Sequence, residues 1–379
     1  MSKTQETSES KRSRKAVLDE FPDPRRNTRQ VTGDERRHTD EESIRRFHGV
    51  PRFDRSAYDF QDVLPNLLLH TRDAGEDMDA GGTDVLATGK PGSGKSTQAC
   101  HFATRVMEEN DETVVWRASE TRSEWLPLAP WATVAIPSST SARIELEPMD
   151  PLEDAIELSI EELEEIVREV VRYDDPRQLN QEILSEGAGG AGGRLVVVYP
   201  DPHMTGCDEI YESSPYRKED LEFSAEDPPK HWWFAWLLSR IDEGPHHWMT
   251  WICDEIGDLV PQNARKDEFA TYQKVELARD LWVDARKKNL SIFAWGHSEV
   301  DVHQMLRHKV RWRIQMPGRA NPTSKGDLVG FGSVPMIHDL SSQMRIGEAL
   351  LYTERHFQKF RWPEYEDPSN FKLKISSKK

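Results

Sequence analysis

From Thr83 onward the chain alternates short apolar runs with stretches of helical period, a pattern that predicts helices packed on a parallel sheet. DVLATG (84–89), TVVWRAS (113–119), RLVVVY (194–199), WMTWICDE (248–255), LSIFAW (290–295) and VRWRIQM (310–316) read as strands. Runs this apolar fit strands covered on both faces. Between them, 96–109 and 267–289 read as helices. In the second helix Tyr272, Val275, Ala278 and Trp282 recur at three- and four-residue steps and share one stripe. ALLYTE and FQKFRW read as a hairpin turning at Arg355–His356.

Two regions break this rhythm. Residues 1–62 are rich in charge of both signs and poor in aliphatics, so they are expected to form a mostly disordered arm, or one that orders on a partner. Residues 141–193 form the other. Over 141–186 there are 15 acidic residues and four arginines, with Leu152, Ile156, Leu163, Val167 and Val170 near helical spacing. That predicts an acidic helical insertion with a solvated charged face, joined by the Gly-rich 187–193 as a flexible connector. Gly187, Gly189 and Gly192 satisfy G-x-G-x-x-G, but the strand follows the glycines instead of preceding them, which argues against a dinucleotide fingerprint. The remaining expectations are a catalytic domain over 63–362 and a tail over 363–379.

Composition narrows the function. The 379 residues carry 67 Asp+Glu against 50 Lys+Arg, a net charge of -17 that argues against a histone-like basic binder. Arginine outnumbers lysine, 32 to 18, which together with the acidity fits a high-salt cytoplasm. Cys100, Cys207 and Cys253 form neither a disulfide framework nor a CxxC knuckle, as expected in a reducing compartment. WWFAWLL (232–238) is far too short to span a membrane, and no secretion signal is evident, so the expectation is a soluble cytoplasmic protein.

The chemistry is carried by GKPGSGKST, which satisfies G-x-x-x-x-G-K-[ST] directly after a strand and at the opening of a helix. Gly89, Lys90, Pro91, Gly92, Ser93, Gly94, Lys95, Ser96 and Thr97 make up this candidate ATP-binding segment. Glycines let the backbone wrap phosphates so that consecutive N–H groups and a helix N-terminus meet negative charge. Lys95 adds a point charge for the β/γ-phosphates, and the Ser96 hydroxyl is a candidate Mg²⁺ ligand. The partner half is Asp254-Glu255 at the end of an apolar strand. Asp254 is placed to hold Mg²⁺ and Glu255 to polarise the attacking water, the arrangement of a hydrolase. If LSIFAW lies between the Gly-loop strand and the acidic strand, His297 or Ser298 comes beside the γ-phosphate as a sensor; the alternative is that His297 caps the next helical region. His297, His303 and His308 invite a zinc reading, but their spacing of six and five with no cysteine argues against it.

GKPGSGKS, ICDE and the block at 285–318 together resemble the HerA–FtsK superfamily of P-loop motor ATPases, over about 83–137 and 246–360. The sensor strand of that family usually ends in Thr-Gln, where this chain has Gly296-His297. The resemblance implies a RecA-like fold and a homo-oligomer, a hexameric ring hydrolysing ATP at subunit interfaces. It further implies a neighbour's arginine at each site, with Arg307, Arg311, Arg313 and Arg319 as candidates. Double-stranded DNA is the implied substrate, in viral genome packaging or plasmid transfer, with a portal, membrane or capsid protein as further partner and a host-cytoplasmic or virion-associated location. Two other readings stand beside it: an ATPase that remodels a protein partner, and a nucleotide-dependent structural switch, against which Glu255 argues. No N-K-x-D motif supports a GTPase.

Overall fold

The computed structural model describes residues 14–23, 39–58, 62–70, 81–150, 152–185, 193–318, 337–366 and 371–378. Thirteen strands occur among them: β1 Asp84–Thr88, β2 Thr113–Arg117, β3 Ala132–Pro137, β4 Ser141–Pro148, β5 Ile156–Leu158, β6 Glu169–Tyr173, β7 Arg194–Val198, β8 Met249–Cys253, β9 Leu290–Gly296, β10 Trp312–Gln315, β11 Glu348–Tyr352, β12 Phe357–Arg361 and β13 Phe371–Lys378. Ten of them form one sheet in the order β12-β11-β10-β1-β9-β8-β2-β7-β3-β6. From β10 to β6 every pairing is parallel; β11 alone runs against the rest, pairing antiparallel with β10 and, in the expected hairpin, with β12. This is a mixed α/β fold around a mainly parallel sheet, as the alternating pattern predicts.

The parallel strands are apolar because both faces are covered. Every residue of β1, β2, β7, β8 and β9 is buried. On one face lies the Lys95–Asn110 helix, whose Phe102 meets Phe293 of β9 at 5.6 Å between ring centroids. The other face is covered by the helices Trp232–Asp242 and Thr271–Ala285. Trp233 stacks on Trp251 of β8 at 5.5 Å, which shows why WWFAWLL is a core helix. Val275, Ala278 and Trp282 are buried as the stripe requires.

Three expectations change. The described residues of 141–193 form no long amphipathic helix. They carry β4, β5 and β6, with the short helix Ile160–Leu163 held by a Ser159/Glu162 capping box. The deciding signal is alternation: Ile144 and Leu146 are buried while Arg143, Glu145 and Glu147 face outward, a period of two. Leu152, counted in the helical stripe, is 82% exposed. The connector at 187–193 lies outside the described residues except for Gly193.

The expected tail contains β13, which pairs with β4 over eight positions in a second sheet, β13-β4-β5. In FKLKI, Phe371, Leu373 and Ile375 are buried and join the core, while Lys374 pairs with Glu147 at 2.8 Å. Part of the expected arm also packs: Val17, Phe21, Ile44 and Val50 are buried, and the Thr39 hydroxyl accepts from the Leu195 N–H.

Leu373→Ala should therefore cost about 2–4 kcal/mol in denaturant unfolding, as for other core truncations. Lys374→Ala, which removes an exposed pair, should cost under about 1 kcal/mol. Equal small effects would show that β13 does not contribute to the core.

Candidate nucleotide site

Four neighbouring strands end at the same edge of the sheet in the order β1, β9, β8, β2, and each delivers polar groups there. The carboxyl edge of a parallel sheet is where ligands bind in such folds. After β1, residues 89–94 form a tight loop into the Lys95–Asn110 helix. Gly92 and Gly94 have φ of +75° and +90°, which glycine adopts without strain. A Cβ on Gly89 would lie 2.4 Å from Met316, so no other residue fits there without a shift. The loop is thus fixed by sterics at both ends, and the helix opens with its first N–H groups free for an anion.

Lys95 is 9% exposed and its Nζ donates to the carbonyls of Gly89 (2.8 Å) and Lys90 (3.3 Å), with His297 Nδ1 at 3.4 Å. Burial pulls its pKa down and the Arg122 charge adds to that, while Glu255 and Asp254 oppose both. After β8, Asp254 and Glu255 are 8% and 7% exposed. Asp254 Oδ1 accepts from the Glu255 N–H at 3.0 Å. Burial, then the Glu255 charge, raise its pKa above the usual aspartate range. Glu255 sits at φ +49°, ψ +56°, a left-handed conformation a glutamate adopts at a cost of about 1–2 kcal/mol. The turn aims its carboxylate into the cleft, where Oε1 lies 3.2 Å from His297 Nε2. His297 follows β9, which lies between β1 and β8 as the sensor reading requires. It touches Lys95 and Glu255, and the cap of the next turn is Ser298, whose Oγ accepts from the Val300 N–H.

Pro91, Gly92, Gly94, Lys95, Ser96 and Thr97 line a cleft of about 480 Å³ together with Asp254, Glu255 and His297. Ser93 is buried beneath it, and Gly89 and Lys90 serve it through the carbonyls that hold Lys95. The Ser96 hydroxyl and the Asp254 carboxylate are hard oxygen donors facing one cleft, a donor set that fits Mg²⁺. Among the described residues no group of three or more His, Cys, Asp or Glu side chains converges to hold a metal.

Three lining residues were not singled out from the sequence: Arg122 and Glu124 after β2, and Ile346. Arg122 Nη1 lies 3.2 Å from Glu255 and 3.6 Å from Asp254. Glu124 has its pKa raised, first by burial and then by Asp254. Ile346 is 73% exposed beside the cleft, where a Cβ on Gly94 would lie 3.5 Å from it. The signal for Arg122 and Glu124 is position alone, a few residues past a buried strand at the ligand edge, and Ile346 has none of its own. Of the four arginine candidates, Arg307 and Arg313 are buried on Glu299, with Arg313 Nε at 2.8 Å, and serve the core. Arg311 pairs with Asp84 at 3.1 Å, and Arg319 lies outside the described residues.

No protein-family model and no curated protein matches the chain. Among solved structures it is similar to the genome packaging NTPase B204 from Sulfolobus turreted icosahedral virus 2, at 12% identity and a TM-score of 0.41, over 76% of this chain and 100% of that one. It is similar to VirB4 of Thermoanaerobacter pseudethanolicus at 13% identity and a TM-score of 0.40, over 76% and 90%. A third is the pCW3 conjugation coupling protein TcpA, at 12% identity and a TM-score of 0.35, over 76% and 62%. Scores this low carry no residue roles across, and the reading of the site rests on its own geometry.

Lys95→Ala removes the buried cation and leaves the loop backbone in place. Nucleotide affinity, read by fluorescence titration, should fall about tenfold or more, with the melting temperature shifted by only a few degrees. Affinity equal to the parent's would overturn the assignment of this loop to phosphates.

Proposed function

We propose that the chain is a Mg²⁺-dependent ATPase of the HerA–FtsK motor type that moves double-stranded DNA, in viral genome packaging or plasmid transfer. One observation supports the chemistry above all others: Lys95, His297, Asp254 and Glu255 meet in one cleft from three adjacent parallel strands. The DNA substrate rests on the resemblance of the ordered sequence motifs. Acidic net charge does not oppose it, because phosphate contacts need only a local basic lining.

In this reading the loop N–H groups and the helix N-terminus hold the phosphates. Lys95 turns its ammonium from the Gly89 and Lys90 carbonyls toward the β/γ-phosphates. Ser96 and Asp254 hold the Mg²⁺, which neutralises phosphate charge when bound. Glu255 accepts the proton of the attacking water, and its fixed backbone turn sets the direction from which water is polarised. His297, in contact with both Lys95 and Glu255, senses the γ-phosphate and orients Glu255 toward it. Ile346 offers an apolar wall to the base. Assembly as a hexameric ring would place an arginine of the adjacent subunit at each site; Arg311 is the described candidate least committed to the core.

The test is ATP turnover with and without double-stranded DNA across a range of salt. Stimulation by DNA that weakens as salt rises is expected, because phosphate contacts release counterions. Mixing in Glu255→Gln chains should lower activity by more than dilution if active sites span subunits. Hydrolysis unmoved by DNA at every salt, with mixing showing dilution only, would overturn the motor reading and leave a protein-remodelling ATPase.

A further inference from the structure

Arg122 is the residue at this edge that no motif accounts for. It closes the turn after β2, where Ser119 and Arg122 form an isolated antiparallel bridge. Its guanidinium spans three carboxylates: Glu255 at 3.2 Å and Asp254 at 3.6 Å through Nη1, and Asp258 at 3.3 Å through Nη2. Burial lowers its pKa, but Asp254, Glu255 and Glu124 outweigh that and hold it above the ordinary arginine value.

The oxygens matter more than the count. Asp254 Oδ1 is committed to the Glu255 N–H, so Oδ2, the atom facing Arg122, is the oxygen left for a cation. On Glu255, Oε1 is shared between Arg122 and His297, both at 3.2 Å. An oxygen held between two such groups is not free to turn toward a water, so these contacts restrain Glu255 in place. The same two oxygens that Arg122 holds are thus those that the proposed hydrolysis requires.

We infer that Arg122 is a positioning residue that competes with nucleotide-bound Mg²⁺ for Asp254 and restrains Glu255, so that it sets the Mg²⁺ concentration at which the site engages nucleotide. This rests on the reading of Asp254 as the Mg²⁺-facing carboxylate. With Mg²⁺ and nucleotide in place, the guanidinium keeps Asp258, whose side chain is 56% exposed, as its outer anchor. Its fork suits the role, since a lysine point charge cannot span three carboxylates at once.

The experiment is a Mg²⁺ titration of full-length protein at fixed AMP-PNP, read as the rise in melting temperature, with no turnover involved. Arg122→Gln should lower the half-saturating Mg²⁺ about fivefold, the scale of a partly exposed ion pair. Without nucleotide its melting temperature should fall, because two adjacent carboxylates lose their cation. Arg122→Lys should show a smaller shift in the same direction, and it carries the test if the Gln variant does not fold. Half-saturating Mg²⁺ that stays unchanged or rises would overturn the inference. Asp254→Asn separates the two levels: Mg²⁺ dependence that survives it defeats the underlying reading. A dependence lost in Asp254→Asn yet unmoved in either Arg122 variant defeats this inference alone.

Discussion

Two adjacent carboxylates at the end of a strand buried on both faces are the constraint around which this molecule is arranged. Asp254 and Glu255 are each less than a tenth exposed, and a buried pair of like charges persists only with cations and donors close by. Those partners cannot come from β8 itself. They arrive from its neighbours: Lys95 beyond β1, His297 beyond β9 and Arg122 beyond β2. The strand order β1-β9-β8-β2 is therefore also an order of charge, positive, histidine, doubly negative, positive. A change of strand order would leave the carboxylates without these partners.

The backbone bears part of the cost. Glu255 occupies a left-handed conformation, and the Asp254 carbonyl is held by the Arg117 guanidinium from the end of β2. Such a conformation persists only where surrounding contacts over-determine it. Here the contacts are the parallel pairings of β8 with β2 and β9 and the aromatic packing of Trp251 beneath. The core and the site are thus one mechanical unit: covering both faces of β8 keeps the turn at its end rigid.

Most strands of the large sheet were legible because burial on both faces leaves unbroken apolar runs, and the Gly-loop because its residue types are dictated by close backbone approach; β3 was not read, and β6 was taken as part of a helical insertion. β4 and β13 were harder. Their period-two alternation, Ile144 and Leu146 against Glu145 and Glu147, and Phe371, Leu373 and Ile375 against Lys372 and Lys374, is present in the sequence, but acidic composition and terminal position weighed against it. β4 has only the three-residue β5 as a local partner and β13 has none; the pairing of β4 with β13 joins residues more than 200 positions apart, which no local pattern encodes. Arg122, Glu124 and Ile346 were missed for the same reason. Their roles come from the strands beside them, and no motif of their own marks them.

The central claim is that this carboxylate pair is built for hydrolysis and not only for charge balance. The most direct measurement is single-turnover ATP cleavage by Glu255→Gln alongside nucleotide affinity for the same protein. The account predicts affinity within a few-fold of the parent and cleavage slowed about 10²-fold or more, because the amide keeps the shape and loses the proton acceptor. Cleavage at the parental rate would contradict it and reduce Glu255 to a strand-end carboxylate neutralised by Arg122 and His297.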